Sequence, residues 1–260
     1  MNAAPLARPV SGALAPGRVV ILAALNRELA GLRSRIRVER RWQEKNLRAA
    51  EGSIEGVPVV VASTGDGAQN AAAGARAVLS GRAVRGVIIL GAAGALSARL
   101  EPGRVLVARE VIDGEEEVPA PDPLWLHRAL RETGATSATF VCSRGLLCSA
   151  RAKAEAFARL SSGTPAAVDL ETAAFARAAA EHGAPYVALR AISDAAEESL
   201  PLDFNALRDR SGAVDNRRVL LAALRRPSLL PPLWRLRGRV ALCSENLARA
   251  AVAILGGGTP

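Results

Sequence analysis

"AAVDLETAAFARAAAEHGAPYVALRAISD", residues 166–194, reads as strand, helix, strand. The run over 166–170 is apolar, of strand length, and ends in acids. Residues 171–182 have the composition and spacing of a helix, and His182 stands where an imidazole partners the helix C-terminal dipole. A second apolar run covers 185–193, with Arg190 inside it and Asp194 just beyond. Its hydrophobicity is continuous rather than alternating, as in strands covered on both faces.

The same pattern recurs outward from this unit. Apolar runs lie at 18–25, 58–64, 86–92, 104–112 and 138–142, and helical patterns at 26–35, 67–81, 124–133 and 150–161. The alternation predicts an α/β fold: a three-layer α/β/α sandwich on a mixed, largely parallel central sheet. The first 17 residues are rich in Ala, Pro and Gly and lack the apolar stretch of a signal peptide, so they read as a flexible lead. Residues 18–260 read as one domain, with 206–240 a basic, proline-interrupted apolar insertion. Pro227, Pro231 and Pro232 are expected to break any helix there, and a final helix is expected over 241–255.

Composition narrows the function. Half of the 260 residues are hydrophobic but only 3% are aromatic, so Ala, Leu and Val must fill the core. Much of the net charge of +9 comes from 206–240, where nine arginines face Asp209 and Asp215. Such a segment suits an anionic surface, a membrane being one kind. Apart from Trp234 it lacks interleaved stacking residues, which argues against nucleic acid. Three cysteines without a CxxC pair and two scattered histidines predict no disulfide framework and no metal site. A cytoplasmic location is the default expectation, and no apolar run is long enough to span a bilayer.

Three acids fall at strand ends, where ligands of parallel sheets bind. Glu28 follows the first strand, with Asn26 as the expected helix cap. Glu171 opens the helix after 166–170, and Asp194 follows 185–193. Glycine-bearing stretches, "STGDGAQNAAAGA" (63–75) and "LGAAGAL" (90–96), each follow a strand and read as turns that let a ligand approach the backbone.

Together with "AALNRELAGL" and "EPGRVLVAREVID", these stretches resemble the nucleoside phosphorylase/nucleosidase superfamily over about residues 18–200. The general pattern is similar to that of methylthioadenosine/S-adenosylhomocysteine nucleosidases. The pairing of "VDLETAAFA" with "LRAISD" carries most of the resemblance. It implies that Asp194 is the general acid toward purine N7, Glu28 the base that prepares water, and Glu171 the grip on the ribose hydroxyls. It implies further that Leu170 packs on the sugar and that Leu147 and Cys148 lie near the base, Cys148 through its backbone. Ala92, Gly94, Ser193 and Arg190 complete the implied substrate-binding set, with Arg190 orienting Glu28 or partnering an interior acid. No cofactor is implied, and a homodimer is.

The chemistry is consistent with those roles. A purine leaves well only once protonated, so Asp194 must hold a proton near neutrality, through burial or a neighbouring acid. Glu28 should stay ionised, helped by a helix start. Related phosphorylases hold phosphate with arginines and a serine, whereas Ala92 stands at the serine position here, which favours water as nucleophile. The layout of 206–240 is similar to that of the hopanoid-associated branch, which implies adenosylhopane as substrate and peripheral contact with membrane lipids. The alternatives are a phosphate-dependent purine nucleoside phosphorylase, a small-molecule methylthioadenosine/S-adenosylhomocysteine nucleosidase, and a nucleoside-binding protein without catalysis.

Overall fold

The computed structural model describes residues 17–160, 163–208 and 214–257. The lead expected over 1–17 therefore lies, but for Gly17, outside the described residues. Nine strands are described: β1 (Arg18–Ala23), β2 (Arg37–Glu44), β3 (Leu47–Ile54), β4 (Val57–Ser63), β5 (Val84–Ala95), β6 (Val105–Ile112), β7 (Thr136–Cys142), β8 (Ala166–Asp169) and β9 (Tyr186–Asp194). Seven α-helices accompany them: α1 (Ala30–Arg33), α2 (Ala68–Leu79), α3 (Pro123–Thr133), α4 (Ala150–Phe157), α5 (Thr172–Glu181), α6 (Asn216–Arg225) and α7 (Leu230–Gly256).

The strands form one mixed sheet in the order β2-β3-β4-β1-β5-β8-β7-β6-β9, and β5 also pairs with β9. That last pairing closes β5, β8, β7, β6 and β9 into a ring. The core has two sides. On one, Ala71, Ala75, Val78 and Leu79 of α2 meet Phe175 and Ala176 of α5. On the other, Leu32, Trp125, Leu247, Ala251 and Ile254 bring α1, α3 and α7 together. Helices thus cover both faces, as expected, and alanine-rich helices fit close to a sheet of Val, Ile and Leu.

Local differences from expectation have physical causes. The β2–β3 hairpin was not visible as apolar runs, because β2 is a largely exposed edge strand carrying Arg37, Arg40 and Arg41. The stretch "LGAAGAL" is not a turn: β5 runs on to Ala95. Its glycines clear space beside the sheet instead. By contrast "STGDG" does turn, with Gly65 and Gly67 at φ of 100° and 86° before α2. Helix α7 is 27 residues long, far longer than 241–255. Pro231 and Pro232 sit in its first turn, where a missing N–H costs nothing, so they start the helix rather than break it. Pro227 does act as expected, since α6 ends before it. Asp215 caps α6, accepting from the N–H groups of Arg217 and Arg218 at 2.9 and 3.4 Å. Among the described residues no helix is long and apolar enough to cross a membrane.

Candidate active site

Strands β1, β8 and β9 all neighbour β5. Their carboxyl ends therefore deliver Glu28, Glu171 and Asp194 to one cavity beside Ala92, Ala93 and Gly94 of β5. All three acids are buried. The fold brings together groups that lie 23 to 166 positions apart in sequence.

Glu28 is not in a helix, nor does Asn26 cap one. Helix α1 starts only at Ala30, and Glu28 lies in the preceding turn. Its carboxylate accepts the N–H of Leu25 at 2.8 Å and of Ala92 at 2.9 Å. The expected support for the ionised form from a helix start is thus replaced by two backbone amides and Arg190. Burial outweighs them and raises its pKa above the ordinary carboxylate value. A higher proton affinity suits a group that takes a proton from water.

Glu171 is the N-cap residue of α5 and accepts the N–H of Gly67 at 2.9 Å. Burial pushes its pKa up to about 8; Arg190 opposes the rise, and Asp169 and Glu28 add to it. Asp169, absent from the expected set, organises this corner. Its Oδ1 accepts the N–H groups of Glu171 and Thr172 at 2.8 and 2.9 Å, and its Oδ2 accepts the Thr172 hydroxyl at 2.6 Å. Arg190 donates to Asp169 at 3.1 Å and to Thr172 Oγ1 at 2.8 Å, so it pairs directly with an interior acid. It reaches Glu28 and Glu171 only through the field, which helps them hold a negative charge.

A built Cβ on Gly91 would stand 1.4 Å from Arg190 Nη1. Gly91→Ala must therefore displace the guanidinium, and with it strain or break the buried pair to Asp169. A loss of about 3 kcal/mol or more is expected. It should appear as a lower urea midpoint at unchanged slope, and a wild-type midpoint would show that Arg190 does not lie where described.

Asp194 ends β9. Its Oδ1 accepts the Ser193 hydroxyl at 2.5 Å, and Ser193 lies 3.2 Å from the Ala93 carbonyl. Of the two expected means of holding its proton, burial is present. The group against Asp194 Oδ2 is the buried ammonium of Lys153, on α4. Nothing in "ARAKAEAF" marks this lysine, which reads as part of a solvated helix face.

Of the residues singled out in the sequence, Leu147, Leu170, Ala92, Gly94 and Ser193 line the cavity. Cys148 is not among its lining residues. Its thiol turns to Asp203 and Asn205, at 3.8 and 3.7 Å, and its carbonyl accepts the N–H of Leu200. The cavity measures about 810 Å³. Apolar side chains beyond the expected set also line it, Leu146, Leu200, Phe204, Val219 of α6, and Leu233 and Leu236 of α7, beside Arg237 and Glu245 of α7.

A family model described as the Phosphorylase superfamily matches residues 18–225. A 5'-methylthioadenosine/S-adenosylhomocysteine nucleosidase of Chromohalobacter salexigens is 29% identical over 215 residues, covering 75% of this chain and 91% of that one. The nucleosidase of the same name from Neisseria meningitidis, solved with methylthio-immucillin-A, superposes with a TM-score of 0.71 at 21% identity, covering 92% and 99% of the two chains. That of Colwellia psychrerythraea, solved with adenine, gives 0.71 at 18%, covering 94% and 96%. These two structures share the fold described above.

Proposed function

Because this chain belongs to the phosphorylase superfamily, we propose that it is a purine nucleosidase that hydrolyses the N-glycosidic bond of an adenosine-type nucleoside bearing a large apolar 5' group. Within that class the reading is the hopanoid-associated one: adenosylhopane gives ribosylhopane and adenine. The observation that carries it is the cavity, which is lined both by three buried carboxylates and by apolar side chains of α6, α7 and the segment before them.

The proposed roles are those the resemblance implies, and the convergence of the three acids on one cavity supports them. Glu171 faces the sugar hydroxyls and steadies positive charge developing on the ribose. Glu28 takes the proton of the attacking water, and Asp194 protonates the purine at N7. Water is favoured over phosphate because the Ala92 amide already serves Glu28 at 2.9 Å. A phosphate there would face that carboxylate.

The size of the cavity supports the apolar group. About 810 Å³ lies high in the range of roughly 300–1,000 Å³ that serves drug-sized ligands. The helices that close it are apolar on both faces. Val219, Leu233 and Leu236 point into the cavity, while Leu220, Leu221, Leu224 and Trp234 are exposed. Arg217, Arg218, Arg225, Arg226 and Arg235 lie among them and are exposed too. Such a surface fits the headgroup layer of an anionic membrane, from which a lipid nucleoside would enter.

Adenine release from adenosylhopane in detergent, measured beside methylthioadenosine and with or without phosphate, tests the reading. Phosphate-independent release from the hopane is expected. Binding to phosphatidylglycerol vesicles, weakening as salt rises, is expected alongside. A second reading is favoured by the Chromohalobacter relative, whose name gives small thioether nucleosides as its substrates. It predicts release from methylthioadenosine alone, and a strict phosphate requirement would defeat both.

A further inference from the structure

Lys153 is wholly buried, and the roles above leave it unused. An ammonium has three donors, and each finds an acceptor here: Asp194 Oδ2, the Ala195 carbonyl at 2.7 Å and the Glu198 carbonyl at 2.8 Å. The lysine thus fastens the proton donor and the turn after β9 to helix α4. A Cβ on Gly94 would come 3.1 Å from Asp194 Oδ2 and 3.7 Å from Lys153 Cε. The bare glycine lines the cavity together with Asp194 and leaves that carboxylate open toward it.

Composition makes the choice of residue informative. The chain holds 32 arginines and two lysines. The other lysine, Lys45, is exposed in the turn between β2 and β3. For holding a carboxylate, arginine is the stronger, two-pronged partner. It does not give up its proton, however, whereas a buried lysine does. The chain uses arginine almost everywhere and lysine against this one acid.

We infer that Lys153 and Asp194 form one proton-donating unit, in which Lys153 positions the carboxylate and supplies the proton that reaches the purine. This rests on the nucleosidase reading of the site. The step balances as follows. A Lys153 Nζ–H bond breaks as an Asp194 Oδ2–H bond forms. That O–H bond breaks as N7–H forms, and the pair of the C1'–N9 bond passes to the purine. The water oxygen bonds to C1', and its proton goes to Glu28. After products leave, Glu28 releases that proton and Lys153 regains one from solvent, so one water is consumed. Other ionisable or charged groups face the pair: Glu198, held by Arg239 of α7 at 2.5 Å; Cys243 of α7; and Glu28 and Glu171 across the cavity.

Two lysines make the test direct. In lysine-labelled protein, ζ-amine NMR should give one signal for Lys45 and one for Lys153. The Lys153 signal is expected to move in Asp194→Asn and on saturation with adenine. Failure to move in Asp194→Asn would overturn the pair without reference to any substrate. In kinetics, Lys153→Arg keeps the charge and guards against loss of the fold. It should lower kcat by about 100-fold or more with KM within a few-fold. Lys153→Met removes the proton source and leaves the carboxyl to take its proton from solvent, so its turnover should recover toward acid pH. Wild-type kcat in Lys153→Arg would overturn the relay, as would equal, pH-independent losses in both variants. A wild-type protein that binds adenine yet cleaves no adenosine nucleoside would overturn the functional reading and the relay together. The NMR-observed pair would survive that result.

Discussion

Asp194→Asn is expected to lower kcat for adenine release by about 10³-fold, within the span of general acid catalysis, and to leave adenine affinity within a few-fold. A loss of that size corresponds to about 4 kcal/mol of barrier. The amide keeps the shape of the side chain and one acceptor for Lys153, but it holds no transferable acid proton. Ser193 and the Ala93 carbonyl still frame the position. Retained turnover would remove Asp194 from the chemistry.

The same substitution has a second effect that must be separated from the first. It leaves a buried ammonium with two carbonyls and no counter-ion, a situation that costs about 3–5 kcal/mol. Asp194→Asn should therefore melt earlier as well as react more slowly. Adding Lys153→Met removes the stranded charge. The double variant is expected to regain most of the melting temperature and none of the turnover. Recovery of both together would mean that the single variant had failed through folding alone.

What the sequence made legible follows from what each residue faces. Strands β1 and β4 to β9 were readable because burial on both faces over most of their length gives apolar runs. The β2–β3 hairpin was not, since an edge strand that guards itself with arginine carries no such run. The three carboxylates were readable as strand-end acids, and their convergence depended on β5 neighbouring β1, β8 and β9, which no local pattern encodes. Asp169 was in reach. An aspartate three residues before Thr172 is a helix-start signal, and the side chain does accept that residue's N–H at 2.9 Å. Lys153 was out of reach, because a lysine among alanines on a short helix reads as solvent-facing until the fold buries it. The further apolar lining of the cavity was equally hidden, being assembled from 146, 200–204 and 214–240.

That assembled lining supports the other large effect. The double substitution Leu233→Asn and Leu236→Asn should lower kcat/KM for adenosylhopane by about 100-fold while changing methylthioadenosine cleavage, where there is any, by no more than a few-fold. Both leucines line the cavity from α7, half-buried, on the side away from exposed Trp234. Each buried aliphatic side chain contributes roughly 1.5–3 kcal/mol when it covers apolar surface. Partial exposure reduces that, and two together still give about 3 kcal/mol, which is the 100-fold. The carboxylates are delivered by β1, β8 and β9 and are not touched by these changes. A selective loss on the lipid nucleoside would tie α7 to the 5' group. Equal losses on both substrates would instead make α7 a wall for the nucleoside itself. If neither substrate is affected, the apolar lining is not the seat of the 5' group, and the basic, leucine-bearing surface above it must be explained without a lipid substrate.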